Sequence, residues 1–304
     1  MKKRLIALLS VLCLMAGLLC ACQKTEDTGT TTGDTTVTEA PSSDERGDGP
    51  TTPEATATPT ATTAPTPTAT TAPTPTPFPV DPDDTGIWEN NADISWIDPS
   101  KPMIAFTFDD GPVGTSDTAT SIRIQNALAA SGQHATFFYW GNSLNSVSEA
   151  EVKRAYDMGF EIGNHTRSHQ NLSTLTADKI YAEVMEQANK LSAITGLEHF
   201  LVRPPFLATN TTVKNTVREP MINCSIDSKD WDGASTEDII NTINTQKKDG
   251  AIVLMHETYA STAAAMETLI PQLVAEGWQI VSVSELFKAK GLELKDGQVY
   301  SNAR

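Results

Sequence analysis

From Ile87 onward the chain alternates apolar runs of strand length with longer amphipathic stretches, and few architectures accept that alternation. Strand-like runs fall at 103–108, 135–140, 161–164, 200–203, 221–226, 251–255 and 279–283. Helix-like stretches fall at roughly 119–131, 148–158, 177–195, 212–219, 236–248 and 262–276. Ser148 and Thr176 stand ahead of two of them, and Gly132, Gly159, Gly250 and Gly277 stand behind others, where caps belong. Seven strands with intervening helices predict an α/β fold with a mostly parallel sheet, either a barrel or a doubly wound sheet. Helices would cover the outside, so a site should open where strand ends meet loops.

The first run ends in Thr107-Phe108-Asp109-Asp110-Gly111-Pro112. Successive side chains of a strand point to opposite faces, so two adjacent carboxylates share one pocket only if the strand stops and turns there. Gly111 and Pro112 supply that stop. Paired acids at the C-terminal end of a central strand usually divide acid, base or ligand work between them.

Four further clusters also fall just past a strand run. His165-Thr166-Arg167-Ser168-His169 holds two of the chain's five histidines. Imidazoles four apart face one way on a helical turn and can converge on a metal, completed by an acid from elsewhere. Arg203-Pro204-Pro205-Phe206, Asp227-Ser228-Lys229-Asp230-Trp231 and Leu254-Met255-His256 follow in order. Unrelated structural residues have no reason to gather at one end of the strands, so joint placement argues for one site.

Ahead of this segment the composition changes twice. Lys2, Lys3 and Arg4 precede an apolar run from Leu5 to Leu19 of about 15 residues, shorter than the roughly 20 a membrane span needs, which predicts a secretory signal. Residues 23–85 are nearly free of aliphatic side chains and repeat the octapeptide Thr60-Ala61-Thr62-Thr63-Ala64-Pro65-Thr66-Pro67, so they are expected to form a disordered Thr/Pro-rich stalk. Three of the four cysteines lie in the signal, leaving Cys224 alone, expected as a buried and inert thiol. The net charge of −16 leaves −10 on residues 85–304, which argues against nucleic acid as a partner and suits a neutral or cationic ligand.

The five clusters, quoted above in order, resemble those of the polysaccharide deacetylases of the NodB-homology type, over about residues 101–290. The resemblance implies an irregular (β/α) barrel with about seven parallel strands, spanning residues 86–304 as the catalytic domain. It also implies a metal-dependent hydrolase that removes acetyl groups from N-acetylated cell-wall glycan such as peptidoglycan or chitin. One divalent metal, zinc first and cobalt, nickel or manganese after it, would be held by Asp110, His165 and His169. Asp109 would be the general base, His256 the acid, Asp230 the carboxylate that orients it, and Arg203 the partner of the base. Phe206 would offer a backbone N–H to the oxyanion, and Trp231 and Leu254 would wall the acetyl pocket. Leu207-Ala208 stands where the family usually has Gly, and Phe206 where Tyr is more frequent, so one wall of the site departs from the family pattern. Alternatives are an O-acetyl xylan esterase and an inactive surface glycan-binding protein. Leu19-Cys20-Ala21-Cys22 resembles a bacterial lipobox, implying diacylation of Cys22, cleavage of residues 1–22 and a lipid-anchored monomer on the outer face of the membrane.

Overall fold

The computed structural model describes Gly86 and residues 88–304. The signal with Cys22 and the Thr/Pro-rich stalk lie outside the described residues. Among the described residues no helix is long and apolar enough to cross a membrane.

Strand β1 (Met103–Gly111) is followed by α1 (Thr120–Ala130), β2 (Thr136–Tyr139), α2 (Glu149–Asp157) and β3 (Glu161–Asn164). Then come α3 (Ala177–Thr195), α4 (Thr211–Thr216), β4 (Met221–Ile222), β5 (Ile226–Asp227) and α5 (Thr236–Gln246). The chain continues through β6 (Ala251–His256), α6 (Ala260–Ala275), β7 (Gln279–Val281), α7 (Val283–Ala289) and β8 (Val299–Tyr300). The strands run β3-β2-β1-β6-β5, with β7 also on β1, and every one of these ladders is parallel. The α/β fold with a parallel sheet is therefore as the alternation predicts.

β1 shows how the sequence builds two cores at once. Ile104, Phe106 and Phe108 pack outward under the helices with Ile124, Leu128 and Met266, while Met103 and Ala105 pack inward with Phe138, Leu201, Ile222 and Ile252. Period-2 alternation divides the strand between them, and burial on both faces explains its unbroken apolar run. Each fully buried Phe or Ile here contributes about 2 kcal/mol. The inward register continues through Thr107 to Asp109, which brings that carboxylate to the inner end of the sheet.

Two runs depart from the expected strands. Residues 221–226 divide into β4 and β5 because the chain changes partners: Met221 and Ile222 pair with β8, then Ile226 and Asp227 with β6. In the run 200–203 only Val202 pairs, bridging Asn164 to Met221. The C-terminal tail contributes β8 and a bridge from Asn302 to Ala251, so it spans the gap between β4 and β6. The circuit closes through these single bridges, and no ladder among the described residues joins β4 to β5. Cys224 sits in the break, half-buried, its thiol pushed up to about 11 chiefly by burial. Behind the β1 turn, a Cβ on Gly111 would overlap the Glu257 carboxylate and crowd the Tyr139 ring, so a side chain here requires both to move.

Candidate active site

Asp110 follows Asp109 and in a regular strand would face outward. Its φ of 70°, together with a register shift between Asp109 and Gly111, turns it back. Both carboxylates consequently line one cavity of about 420 Å³ at the C-terminal ends of the strands.

His165 and His169 reach the same cavity from the loop after β3. No helical turn carries them, contrary to the sequence expectation; left-handed backbone at Thr166 (φ 67°) and His169 (φ 56°) folds the loop so that the rings lie 4.9 Å apart. The His165 Nδ1–H donates to the Arg203 carbonyl at 2.7 Å, which leaves Nε2 as the ring's free lone pair. That Nε2 lies 3.5 Å from Asp110 Oδ1, and His169 Nε2 lies 3.4 Å from the same oxygen. Burial, and then the charge of His165, hold the His169 pKa below its ordinary value, favouring the neutral ligand form. One donor atom from each of the three residues falls within 4.8 Å of the others, and two imidazoles with one carboxylate fit a divalent cation while leaving positions for water and substrate.

Asp109, 3% exposed, is held by Arg203. The guanidinium, itself fully buried, donates through one NH to Asp109 Oδ1 at 2.8 Å and to Thr107 Oγ1 at 2.7 Å. Its remaining nitrogens reach the carbonyls of Ile222 and Asn223, and the plane lies 4.3 Å over the Phe138 ring. Only Oδ1 is engaged by this pairing; Oδ2 lies 3.7 Å from His165 Nε2, on the cavity side.

Next to Asp109, on the adjacent strand, stands a second dyad. His256 ends β6, and its Nδ1–H donates to Asp230 Oδ1 at 2.8 Å. Asp230, 1% exposed, also accepts from the backbone N–H groups of His256 and Trp231 and from Thr262 Oγ1. Burial is the largest influence on His256 and pulls its pKa down, but the Asp230 hydrogen bond and the charges of Asp109, Asp230 and Asp110 outweigh it and leave the pKa raised. Asp230 is lowered: burial opposes this, and the His256, Thr262 and backbone hydrogen bonds prevail.

Phe206, Leu207, Trp231 and Leu254 wall the cavity. Phe206 is two-thirds exposed and meets the His169 ring edge-on at 4.9 Å. All six non-glycine residues with positive φ among the described residues, Asp110, Thr166, His169, Phe206, Leu207 and Lys229, belong to the end of β1 or to the loops around this site. Strained backbone gathers where surrounding structure holds side chains in an otherwise unfavoured direction. Asp109, Asp110, His165, His169, Phe206, Trp231, Leu254 and His256 line the cavity, and Arg203 and Asp230 each stand directly behind a residue that does. Thr107, Thr262 and Asp227 had no assigned role. Asp227 lines the cavity and accepts from Trp231 Nε1, and its place in the fourth cluster was the available signal. Thr262 lies inside α6, where nothing in the sequence marks it.

A parallel α/β sheet that brings a two-histidine, one-carboxylate cluster beside a charge-paired aspartate and an aspartate-held imidazole defines a protein class with a candidate one-metal centre. A family model described as polysaccharide deacetylase matches residues 97–225. A peptidoglycan-N-acetylglucosamine deacetylase of Bacillus cereus is 31% identical over 206 residues, 65% of this chain and 94% of that protein. A peptidoglycan-N-acetylmuramic acid deacetylase of Bacillus subtilis is 30% identical over 194 residues, 64% of this chain and 40% of that protein. Among solved structures, a family 4 acetyl xylan esterase from Clostridium thermocellum in complex with a cobalt ion superposes with a TM-score of 0.61 at 27% identity, covering 66% of this chain and 98% of that one. The chain belongs to the polysaccharide deacetylase family. Its match spans 34 to 41% of the length of three curated relatives, the Bacillus subtilis protein among them.

Proposed function

We propose that the chain is a metal-dependent deacetylase that hydrolyses N-acetyl groups on cell-wall glycan, peptidoglycan first. The observation that carries this reading is the convergence of Asp109 and His256, register partners on adjacent strands, on one cavity beside the metal-ligand trio. Asp110, His165 and His169 would hold one divalent cation, with zinc the first choice, and when bound it supplies Lewis acidity to the acetyl carbonyl and to the attacking water.

Asp109 takes the proton from that water through Oδ2. Arg203 keeps Oδ1 occupied and the carboxylate oriented, so the base meets substrate in one geometry. His256, protonated through its bond to Asp230, delivers a proton from Nε2 to the departing amine nitrogen. Leaving-group protonation matters here because an amide nitrogen departs poorly as an anion. The Phe206 backbone N–H receives the developing oxyanion, while Trp231 and Leu254 accept the acetyl methyl and exclude water.

The test is acetate release by the full chain from N-acetylated chitooligosaccharides and from peptidoglycan, after chelation and again with zinc, cobalt, nickel or manganese restored. Metal-dependent release from either substrate is the expected result. Silence on both with release from O-acetyl xylan would replace the amidase with an esterase, a reading favoured by the likeness to the acetyl xylan esterase. Silence on all three would leave a glycan-binding protein.

The proposal includes export and lipid anchoring at Cys22, supported by the lipobox-like Leu19-Cys20-Ala21-Cys22. Metabolic labelling with a radioactive fatty acid should mark the wild-type chain and leave Cys22→Ala unlabelled.

A further inference from the structure

A second cavity, of about 520 Å³, lies at the opposite end of the strands from the acid and metal groups. Its walls come from the starts of β2 and β3 (His134, Glu161), the loop before Val202 (Glu198, His199) and the start of α7, and the segment from Trp88 to Trp96 covers it. Two indoles, Trp88 and Trp96, line it. Trp96 is fixed from both sides. Its Nε1–H donates to Glu285 at 3.0 Å, and its ring lies 4.7 Å from that of His134, whose Nδ1 reaches the same Glu285 oxygen at 2.6 Å.

The charge of the lining is one-sided. Glu89, Asp93, Glu161, Glu198 and Glu285 contribute carboxylates, and no lysine or arginine lines the cavity. Its two histidines are each engaged by a carboxylate, His134 by Glu285 and His199 by Glu219. Some of the acids serve the fold itself: Glu285 closes the capping box of α7, and Glu161 accepts from Thr136 and the backbone of Val283 and Ser284. Glu89, Asp93 and Glu198 are exposed at the rim. Indole walls offer flat apolar surface to the C–H faces of a sugar ring and a negative π face to a cation. Lys288 donates to the Ala92 carbonyl and offsets the charge of Asp93, and the other rim carboxylates, Glu89 and Glu198, repel an anion and favour an ammonium group.

We infer that this cavity binds a glycan segment that already carries free amino sugars, the product class of the reaction proposed above, separately from the catalytic cleft. The inference rests on that reaction for its source of amines. An acetylated sugar presents a neutral amide and gains nothing from the acidic rim, whereas each deacetylated residue presents an ammonium. The cavity would therefore retain the protein on wall polymer in proportion to the deacetylation already done, and the cleft at the other end would remain available to an acetylated strand.

The experiment titrates the full chain carrying Asp109→Asn, so that nothing turns over, with a β-1,4-linked glucosamine hexamer and with its fully N-acetylated counterpart. Calorimetry reports affinity and tryptophan fluorescence reports the site. The glucosamine hexamer should bind the more tightly, and salt should weaken it. Trp88→Ala should weaken it by about tenfold through the lost ring contact. Because that change also removes packing, the exposed pair Glu89→Gln with Glu198→Gln serves as the second variant, expected to weaken binding by about fivefold. Trp231→Ala, in the catalytic cleft, should leave this binding unchanged. Preference for the acetylated hexamer, loss on Trp231→Ala, or affinities untouched by both far-end variants would overturn the inference. Acetate release is not part of the readout. Binding without deacetylation of any glycan would remove the proposed reaction and keep the site, and deacetylation without such binding would do the reverse.

Discussion

The turn at the ends of β1 and β6 has a front, facing the catalytic cavity, and a rear, facing α1 and α2, and both sides bury carboxyl groups. They are treated in opposite ways. At the front Asp109 meets a fully buried guanidinium, and Asp230 accepts hydrogen bonds from two backbone N–H groups, a hydroxyl and an imidazole. At the rear neither oxygen of Glu257 has a hydrogen-bond partner, and the Tyr139 hydroxyl, Gln125 Nε2 and Glu151 Oε1 are likewise unpartnered. Burial, with the nearby charges of Glu151, Asp110 and Asp109 added, raises the Glu257 pKa well above the usual carboxylate range. Burial also raises Glu151 to about 7, against the backbone N–H groups of Gly114 and Val113 that favour its charge. Burial alone neutralises an acid, and only built partners keep one charged.

That contrast is breakable by substitution. The largest effect is expected from Asp109→Asn: acetate release should fall by at least about 100-fold for loss of the base. The same change leaves Arg203 buried without a countercharge and should lower stability by about 3 kcal/mol in denaturant unfolding. Adding Arg203→Met should restore much of that stability and none of the activity. Recovery of both would show that the pair serves only the fold.

Asp230→Asn should lower acetate release about tenfold or more, because His256 loses the carboxylate that orients and charges it. The signature is a shifted pH profile. His256 is raised by Asp230, so removing the carboxylate should move the alkaline limb of the rate profile to lower pH. An unmoved limb would assign the acid role elsewhere.

Glu257→Gln tests the rear and should leave acetate release within about twofold of wild type, since the residue touches no reacting atom. Its stability effect has a definite sign. The folded pKa lies above the ordinary 4.5, so the contribution of Glu257 is fully present below that value and is lost as pH rises through the folded pKa. Urea midpoints of wild type and variant should coincide near pH 4 and separate above it, with the variant the more stable; Glu151→Gln should show the same trend between 4.5 and about 7. The smallest effect is expected from Leu207→Gly, which relieves a left-handed backbone (φ 54°) and should alter stability by about 1 kcal/mol, after lost packing is subtracted.

Much of this arrangement was legible because strand ends and residue chemistry are local. The alternation placed α3 at its observed bounds and all five clusters beside the strand ends that carry them. Less legible was anything decided by a distant partner. The break at 223–225 exists because β8, far along the chain, takes one half of the run while β6 takes the other. The histidine pair obeys φ angles that no spacing rule encodes, and Thr262 acts only because α6 happens to begin beneath Asp230. The same holds for the far-end cavity, whose indoles and acids come from segments with no shared motif.

Gly111 carries a consequence for how the sequence can change over time. The Glu257 carboxylate already occupies the volume that a side chain at position 111 would need. A substitution at 111 taken first meets that obstruction at the base of Asp109 and Asp110, whereas a smaller residue at 257 taken first leaves only the Tyr139 ring, 2.9 Å from the same Cβ, to give way. The two positions are thus coupled, and the order in which they change sets how much of that crowding a new side chain meets.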